Sequence, residues 1–287
     1  MLKEIINFIL HLRLHYQFFI LSGGYLMGGV LAGEMDITQY LLQFLNVHIL
    51  LFGGATAFNS WWDKDIGPVG GLKHPPKMEP WMHKLSLGFM FFGLIWSVAV
   101  GIIYAGIYLV SLFLFWVYSS PHGRWKGHPL KSLIAIGVST GLNSVLLGTL
   151  AAGGQITPMV LLGSFGAMLI LLSLYPVSQV YQEKDDRQRG DKTFAITYGL
   201  KVVKQFFAGN FAAGSFLVVL VSYLINPYYG MLLFVGCTIS GILLFKIIAQ
   251  LKGNDGEYKI VMKMKFLASL SFVLCFLILN AIDHGWF

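Results

Sequence analysis

The sequence predicts an all-α, polytopic membrane protein. The expected form is nine transmembrane helices in one bundle, two pseudo-repeated four-helix halves within it, and a cytoplasmic N-terminus. Composition gives the first reason: of 287 residues, 56% are hydrophobic and 11% charged, and the mean hydropathy is +0.70. A soluble domain carries about 25% charged residues. The second reason is that the apolar residues form continuous runs near the length needed to cross a bilayer core, about 20 residues. Lipid leaves no partner for exposed backbone groups, so continuous runs mean helices. The third is the segregation of Lys and Arg to alternate loops, which sets orientation by the positive-inside rule.

In order, the expected spans are 15–33, 38–58, 83–101, 103–119, 131–152, 157–180, 203–225, 228–249 and 265–283. The third and fourth meet in one long apolar run, so their boundary is undefined. The leading "MLKEIINFILHLRLHYQ" shows no small-residue cleavage site and reads as part of the protein. The longest polar stretch, 59–83, leaves no room for a second soluble domain, so residues 1–287 read as a single domain. Cys237 and Cys275 fall inside spans and read as buried small hydrophobes. All 20 Lys and Arg lie at the N-terminus, in the loops 59–83, 120–131, 181–202 and 250–264, or at their membrane borders. The net charge of +7 is thus a topology and lipid-headgroup signal. Its dispersal over short loops gives no nucleic-acid surface.

Two loop entries match each other. The second span runs into "AFNSWWDKDIG" and the sixth into "QVYQEKDDRQRG", pairing Asn59 with Gln182, Asp63 with Asp186, Lys64 with Arg187 and Gly67 with Gly190, each 123 residues apart. Residues at i and i+4 share a helix face, so Asn59 stands beside Asp63 and Gln182 beside Asp186. Facing each other, these four oxygen-bearing side chains suit a hard cation such as Mg²⁺, which binds oxygen ligands together with substrate phosphates. Around them lie Lys73, Tyr118, Arg124, Lys126, Tyr181 and Lys184, the second to fourth from "WVYSSPHGRWKGHP". A cation site alone has little use for so many basic groups, whereas a phosphate is neutralised by metal and basic side chains together.

These motifs resemble the UbiA superfamily of intramembrane prenyltransferases, which has nine transmembrane helices and an Asp-rich motif after helices two and six. The likeness rests on "NSWWDKDIG", "QEKDD", the continuation "DRQRGDKTFAITYG", the loop "YSSPHGRWK" and an N-terminal "LRLHYQFF", which supplies Arg13 near the family's usual arginine. Three carboxylates usual in the family are replaced, by Ser60, Gly67 and Gln182. Asp65 is a candidate substitute ligand, provided the helix frays before Gly67-Pro68; in a continued helix it would point about 200° from Asp63.

The resemblance implies transfer of an isoprenoid chain from its diphosphate to an aromatic or other lipophilic acceptor within the membrane. Mg²⁺ would sit on Asn59, Asp63 and Asp186, with Gln182 at the position of a usual ligand, and basic residues including Arg13 would share the diphosphate charge. It places the protein, if bacterial, in the cell (inner) membrane with its active site toward the cytoplasm. Two buried polar residues are pocket candidates: His48, three turns before Asn59 on the same expected face, and Asn143 inside the fifth span. Helix-to-helix hydrogen bonding is the plainer account of either. Two other functions stay open at this level: a membrane terpene cyclase of the same superfamily, and a non-catalytic lipid transporter or binding protein.

Overall fold

The computed structural model describes residues 2–64 and 67–285, so Asp65 lies outside the described residues. Among these, every regular element is helical; the nearest thing to a strand is the isolated bridge between Val69 and Leu72. The helices, in chain order, are α1 (Leu2–Leu21 continued by Gly23–Ala32 at a 49° bend) and α2 (Ile37–Asp63). Then come α3 (Pro80–Ser97), α4 (Ile102–Ser119), α5 (Pro129–Ala151) and α6 (Pro158–Gln188). The last are α7 (Phe194–Ile225), α8 (Pro227–Gln250) and α9 (Tyr258–Asp283).

Among the described residues, seven helices are long and apolar enough to span a membrane, and eight if bent α1 counts as one. Helix α3 falls short of that measure because His83 and Lys84 occupy its first turns. The expected nine spans therefore have helical counterparts, but eight is the number the composition of the helices supports. The undefined boundary in the long apolar run resolves at Gly101, whose φ of 147° breaks the chain between α3 and α4.

Between helices in lipid, burial of apolar area supplies little driving force, so close backbone approach matters more. Helices α1 and α5 show this most directly. A Cβ on Gly28 would lie 2.3 Å from the Val145 carbonyl oxygen, and one on Gly148 would lie 2.1 Å from that of Tyr25. Polar side chains add crosslinks: Asn46 donates to the Gly93 carbonyl at 3.0 Å and accepts from Tyr108 at 3.2 Å, joining α2, α3 and α4.

Four helices change pitch. Residues 17–21 of α1, 46–53 of α2 and 137–142 of α5 are π-helical, and α6 tightens to a 3₁₀ turn over Pro176–Gln182. Proline at 176 lacks the donor an α-turn requires. The two matched loop entries therefore differ locally. Asn59 and Asp63 share one α-helical stretch that ends where Lys64 turns left-handed (φ 49°). Gln182 closes a 3₁₀ turn, and Asp186 belongs to the short α-helix after it.

Orientation is testable from exposed loop positions. Cysteines replacing Lys73 and Lys252 should react with an impermeant thiol reagent only from the cytoplasmic side, and one replacing Gln155 only from the other. Labelling of Lys73→Cys and Gln155→Cys from one face would overturn the arrangement inferred from the basic loops.

Candidate active site

The three π-helical stretches converge on one cavity of about 200 Å³. They contribute Ile20 and Leu21 from α1, Phe52 from α2 and Thr140 from α5; α4 and α6 add Phe115, Leu171 and Leu174. A π-turn holds extra residues, which bends the helix and opens the wall beside it; such turns recur at functional sites. The tight turn Val69–Leu72, whose two residues exchange backbone hydrogen bonds at 2.8 and 2.6 Å, brings Val69 and Gly70 to the cavity edge.

A smaller, polar basin of about 80 Å³ adjoins this cavity. Tyr118, Tyr175, Ser178 and Gln182 line both. The hydroxyls of Tyr118 and Tyr175 lie 3.0 Å apart. The pair marks the boundary between hydrocarbon and charge.

Three acids within and beside the basin are each matched to a base. Lys126 pairs with Asp63, and its charge is felt at Asp186 as well. Arg189 pairs with Asp186 at 2.5 Å. Arg124 makes a two-pronged contact with Asp191, Nε to Oδ1 and Nη2 to Oδ2, both 2.9 Å. Asp63, Asp186, Asp191 and Lys126 are all buried. The loop bearing Lys126 is clamped onto the loop after α6 by that Arg124–Asp191 fork and by the Lys192 amide donating to the Gly127 carbonyl at 2.9 Å. Gly127 is required there, because a Cβ would approach Asp191 Oδ1 to 2.6 Å.

The remaining residues singled out in the sequence fall into three groups. Asn59, Arg13 and Tyr181 line the apolar cavity. Asn59 donates to Ser119 Oγ at 3.1 Å, and Arg13 donates to Ser60 Oγ at 2.8 Å. Lys73 and Lys184 are exposed and line neither space. His48 and Asn143 also lie outside both. The π-helical stretch 46–53 shifts the phase between His48 and Asn59, so the same-face expectation fails. His48 Nδ1 bonds the Phe44 carbonyl at 2.8 Å, and its ring packs 4.1 Å from that of Phe44. Asn143 donates to Ser111 Oγ at 2.8 Å, tying α5 to α4. Of the replaced carboxylate positions, Ser60 receives Arg13, and Gly67 has Asp185 against it: a Cβ there would lie 2.9 Å from Asp185 Oδ2.

Sequence reading missed Tyr175, Ser178, Arg189, Asp191 and Lys265. Arg189 and Asp191 stand inside the quoted "DRQRGDKT" and could have been included. Nothing local marks Tyr175 or Lys265.

Among the described residues no three His, Cys, Asp or Glu side chains gather closely enough to cage a metal. The carboxylate and amide oxygens present are of the hard type that Mg²⁺ takes, an ion that usually keeps waters and shares substrate phosphate oxygens rather than filling an all-protein cage.

The family model for the UbiA prenyltransferase family matches residues 21–270. The chain belongs to this family. Among solved structures, a UbiA homologue from Archaeoglobus fulgidus bound to GPP and Mg²⁺ aligns with a TM-score of 0.74 at 15% identity, covering 96% of this chain and 99% of that one. The same homologue bound to DMAPP and Mg²⁺ gives 0.73 at 15% identity over the same shares. A structure of digeranylgeranylglyceryl phosphate synthase gives 0.60 at 20% identity, covering 97% and 99%. No curated protein matches the chain in sequence. At these identities the solved structures establish the UbiA fold for this chain.

The loop clamp yields a stability prediction. A double-mutant cycle between Arg124→Gln and Asp191→Asn, read by unfolding in detergent, should return a coupling of about 1–3 kcal/mol. Simple additivity would show that the fork does not hold the two loops together.

Proposed function

We propose that this UbiA-family protein transfers a prenyl group from an isoprenoid diphosphate to a lipophilic acceptor inside the membrane, in a Mg²⁺-dependent reaction. The observation that carries this reading is the junction itself: an apolar cavity opening, across two tyrosine hydroxyls, onto a basin of matched acids and bases. A prenyl diphosphate has the same division, a hydrocarbon tail and a polyanionic head. The relatives crystallised with GPP or DMAPP and Mg²⁺ support the choice of ligand.

In this reading Asn59, Asp63, Gln182 and Asp186 would hold Mg²⁺, which would supply neutralisation of the departing diphosphate oxygens. Lys126 and Arg189 share that charge by turning from their aspartates to phosphate oxygens, and Tyr118 offers its hydroxyl at the boundary. The C1–O bond breaks with its electron pair leaving on diphosphate. A nucleophilic atom of the acceptor bonds to C1, and the acceptor's proton is lost to solvent or a basin carboxylate. Phe52, Phe115, Leu171 and Leu174 keep water from the allylic cation while it exists. The basin faces the cytoplasm, and α3 serves as the ninth span, with Phe91, Phe92 and Ile95 exposed toward lipid.

The decisive experiment incubates purified protein with Mg²⁺ and a panel of prenyl diphosphates, with and without lipophilic acceptors. Acceptor-dependent prenylated product supports transfer. Hydrocarbon formed without acceptor would mean cyclisation, and absence of diphosphate release would mean a carrier. Asp63→Asn and Asp186→Asn should each lower turnover at least tenfold or so, the scale of one strong transition-state contact. Unfolding temperatures measured alongside separate this from loss of the Lys126 and Arg189 pairs. Gln182→Asp should lower the Mg²⁺ concentration for half-maximal prenyl diphosphate binding; an unchanged requirement would remove Gln182 from the metal's surroundings.

A further inference from the structure

Helix α9 opens with three lysines in its first two turns: Lys259, Lys263 and Lys265. The first two are exposed, as expected of residues near a membrane border, but Lys265 is 9% exposed and lines the apolar cavity together with Ser269, one turn further on. Its ammonium donates to Tyr16 Oη at 2.5 Å and sits 5.1 Å from the centre of that ring. Among the described residues it has no carboxylate within ion-pair distance. The basin differs in this respect, since Asp63, Asp186 and Asp191 each already hold a base.

An ammonium removed from water is costly unless a counter-charge compensates it. One phenol oxygen satisfies one of its three donors and none of its charge. Ionisable groups in such places, pointing inward from a spanning helix, mark ligand sites. Arg13 lines the same cavity from α1, its guanidinium donating to Ser60 Oγ and to the Gly70 carbonyl. Neither Lys265 nor Arg13 lines the aspartate basin.

We propose that Lys265 forms an oxyanion subsite in the apolar cavity, beside Arg13 and separate from the aspartate basin. Its ligand is an amphiphile whose hydrocarbon body fills the cavity and whose phosphate or carboxylate oxygen meets the Lys265 ammonium. Two sources share that chemistry: the outer phosphate of the prenyl donor, and an acidic group on the acceptor. The identity of those two molecules rests on the prenyl-transfer reading, whereas the subsite itself is tested by binding alone.

The test compares full-length wild type, Lys265→Met and Lys265→Arg by equilibrium affinity. Probes are an unreactive thiolodiphosphate analogue of a prenyl diphosphate with Mg²⁺, a hydroxybenzoate, and an alkyl phosphate. The hydroxybenzoate methyl ester and the corresponding alcohol are the uncharged controls. A charge-assisted hydrogen bond predicts that Lys265→Met weakens at least one anionic probe about tenfold or more and leaves the controls unchanged. Lys265→Arg, which keeps the charge, should retain most of the affinity. Loss confined to the thiolodiphosphate assigns the oxyanion to the donor; loss confined to the acids assigns it to the acceptor. Unchanged affinity for all three anions, or an equal loss for the uncharged controls, overturns the proposal. Lys265-dependent binding in a protein that transfers no prenyl group would uphold the subsite and defeat the transfer reading.

Discussion

The arrangement of the site depends on one constraint: charges buried at a helix-bundle end must find opposite charges close by. Three acids, Asp63 from α2, Asp186 from the end of α6 and Asp191 from the loop after it, are met by Lys126, Arg189 and Arg124. These contacts join three chain segments distant in sequence. The gross attraction of a unit pair at 4 Å is about 4 kcal/mol at an effective dielectric of 20, and desolvation offsets much of it. The pairs therefore fix geometry more than they add stability. Under the proposed function this is an advantage, since a base that gains little from its aspartate is readily turned to a phosphate.

Backbone strain gathers in the same region. Among the described non-glycine residues, positive φ occurs at Arg13, Lys64 and Arg124, all basic and all at the end of the bundle that bears the basin. A left-handed backbone at a bulky residue is uncommon and persists only where its surroundings hold it. Arg13 is held by Ser60 and Gly70, and Arg124 by its fork to Asp191. At Lys64 the reversal stops α2 directly after Asp63.

Changes in helix pitch shape the hydrocarbon side as ion pairs shape the polar side. The π-helical stretches of α1, α2 and α5 each place residues in the cavity wall, while the 3₁₀ turn of α6 delivers Ser178, Tyr181 and Gln182 to its rim. A bundle of regular helices carrying the same side chains would present them with different phases.

The sequence by itself determined the medium, the helical class and the family. Continuous apolar runs, basic loops and the motifs around Asp63, Lys126 and Asp186 are local properties, legible because hydrocarbon permits few backbone solutions. Asp63 and Asp186, from the two matching entries, both carry ion pairs at the polar end of the bundle. Only the tertiary structure decided which side chains meet there. Helical phase carried forward by 3.6 residues per turn aligned His48 with Asn59, and the π-helical stretch 46–53 between them breaks that count. Lys265 was indistinguishable from its neighbours Lys259 and Lys263 until the rotation of α9 against α1 turned it alone into the cavity. Arg124 and Asp191 are 67 residues apart, and their pairing follows from the way two loops fold over one basin.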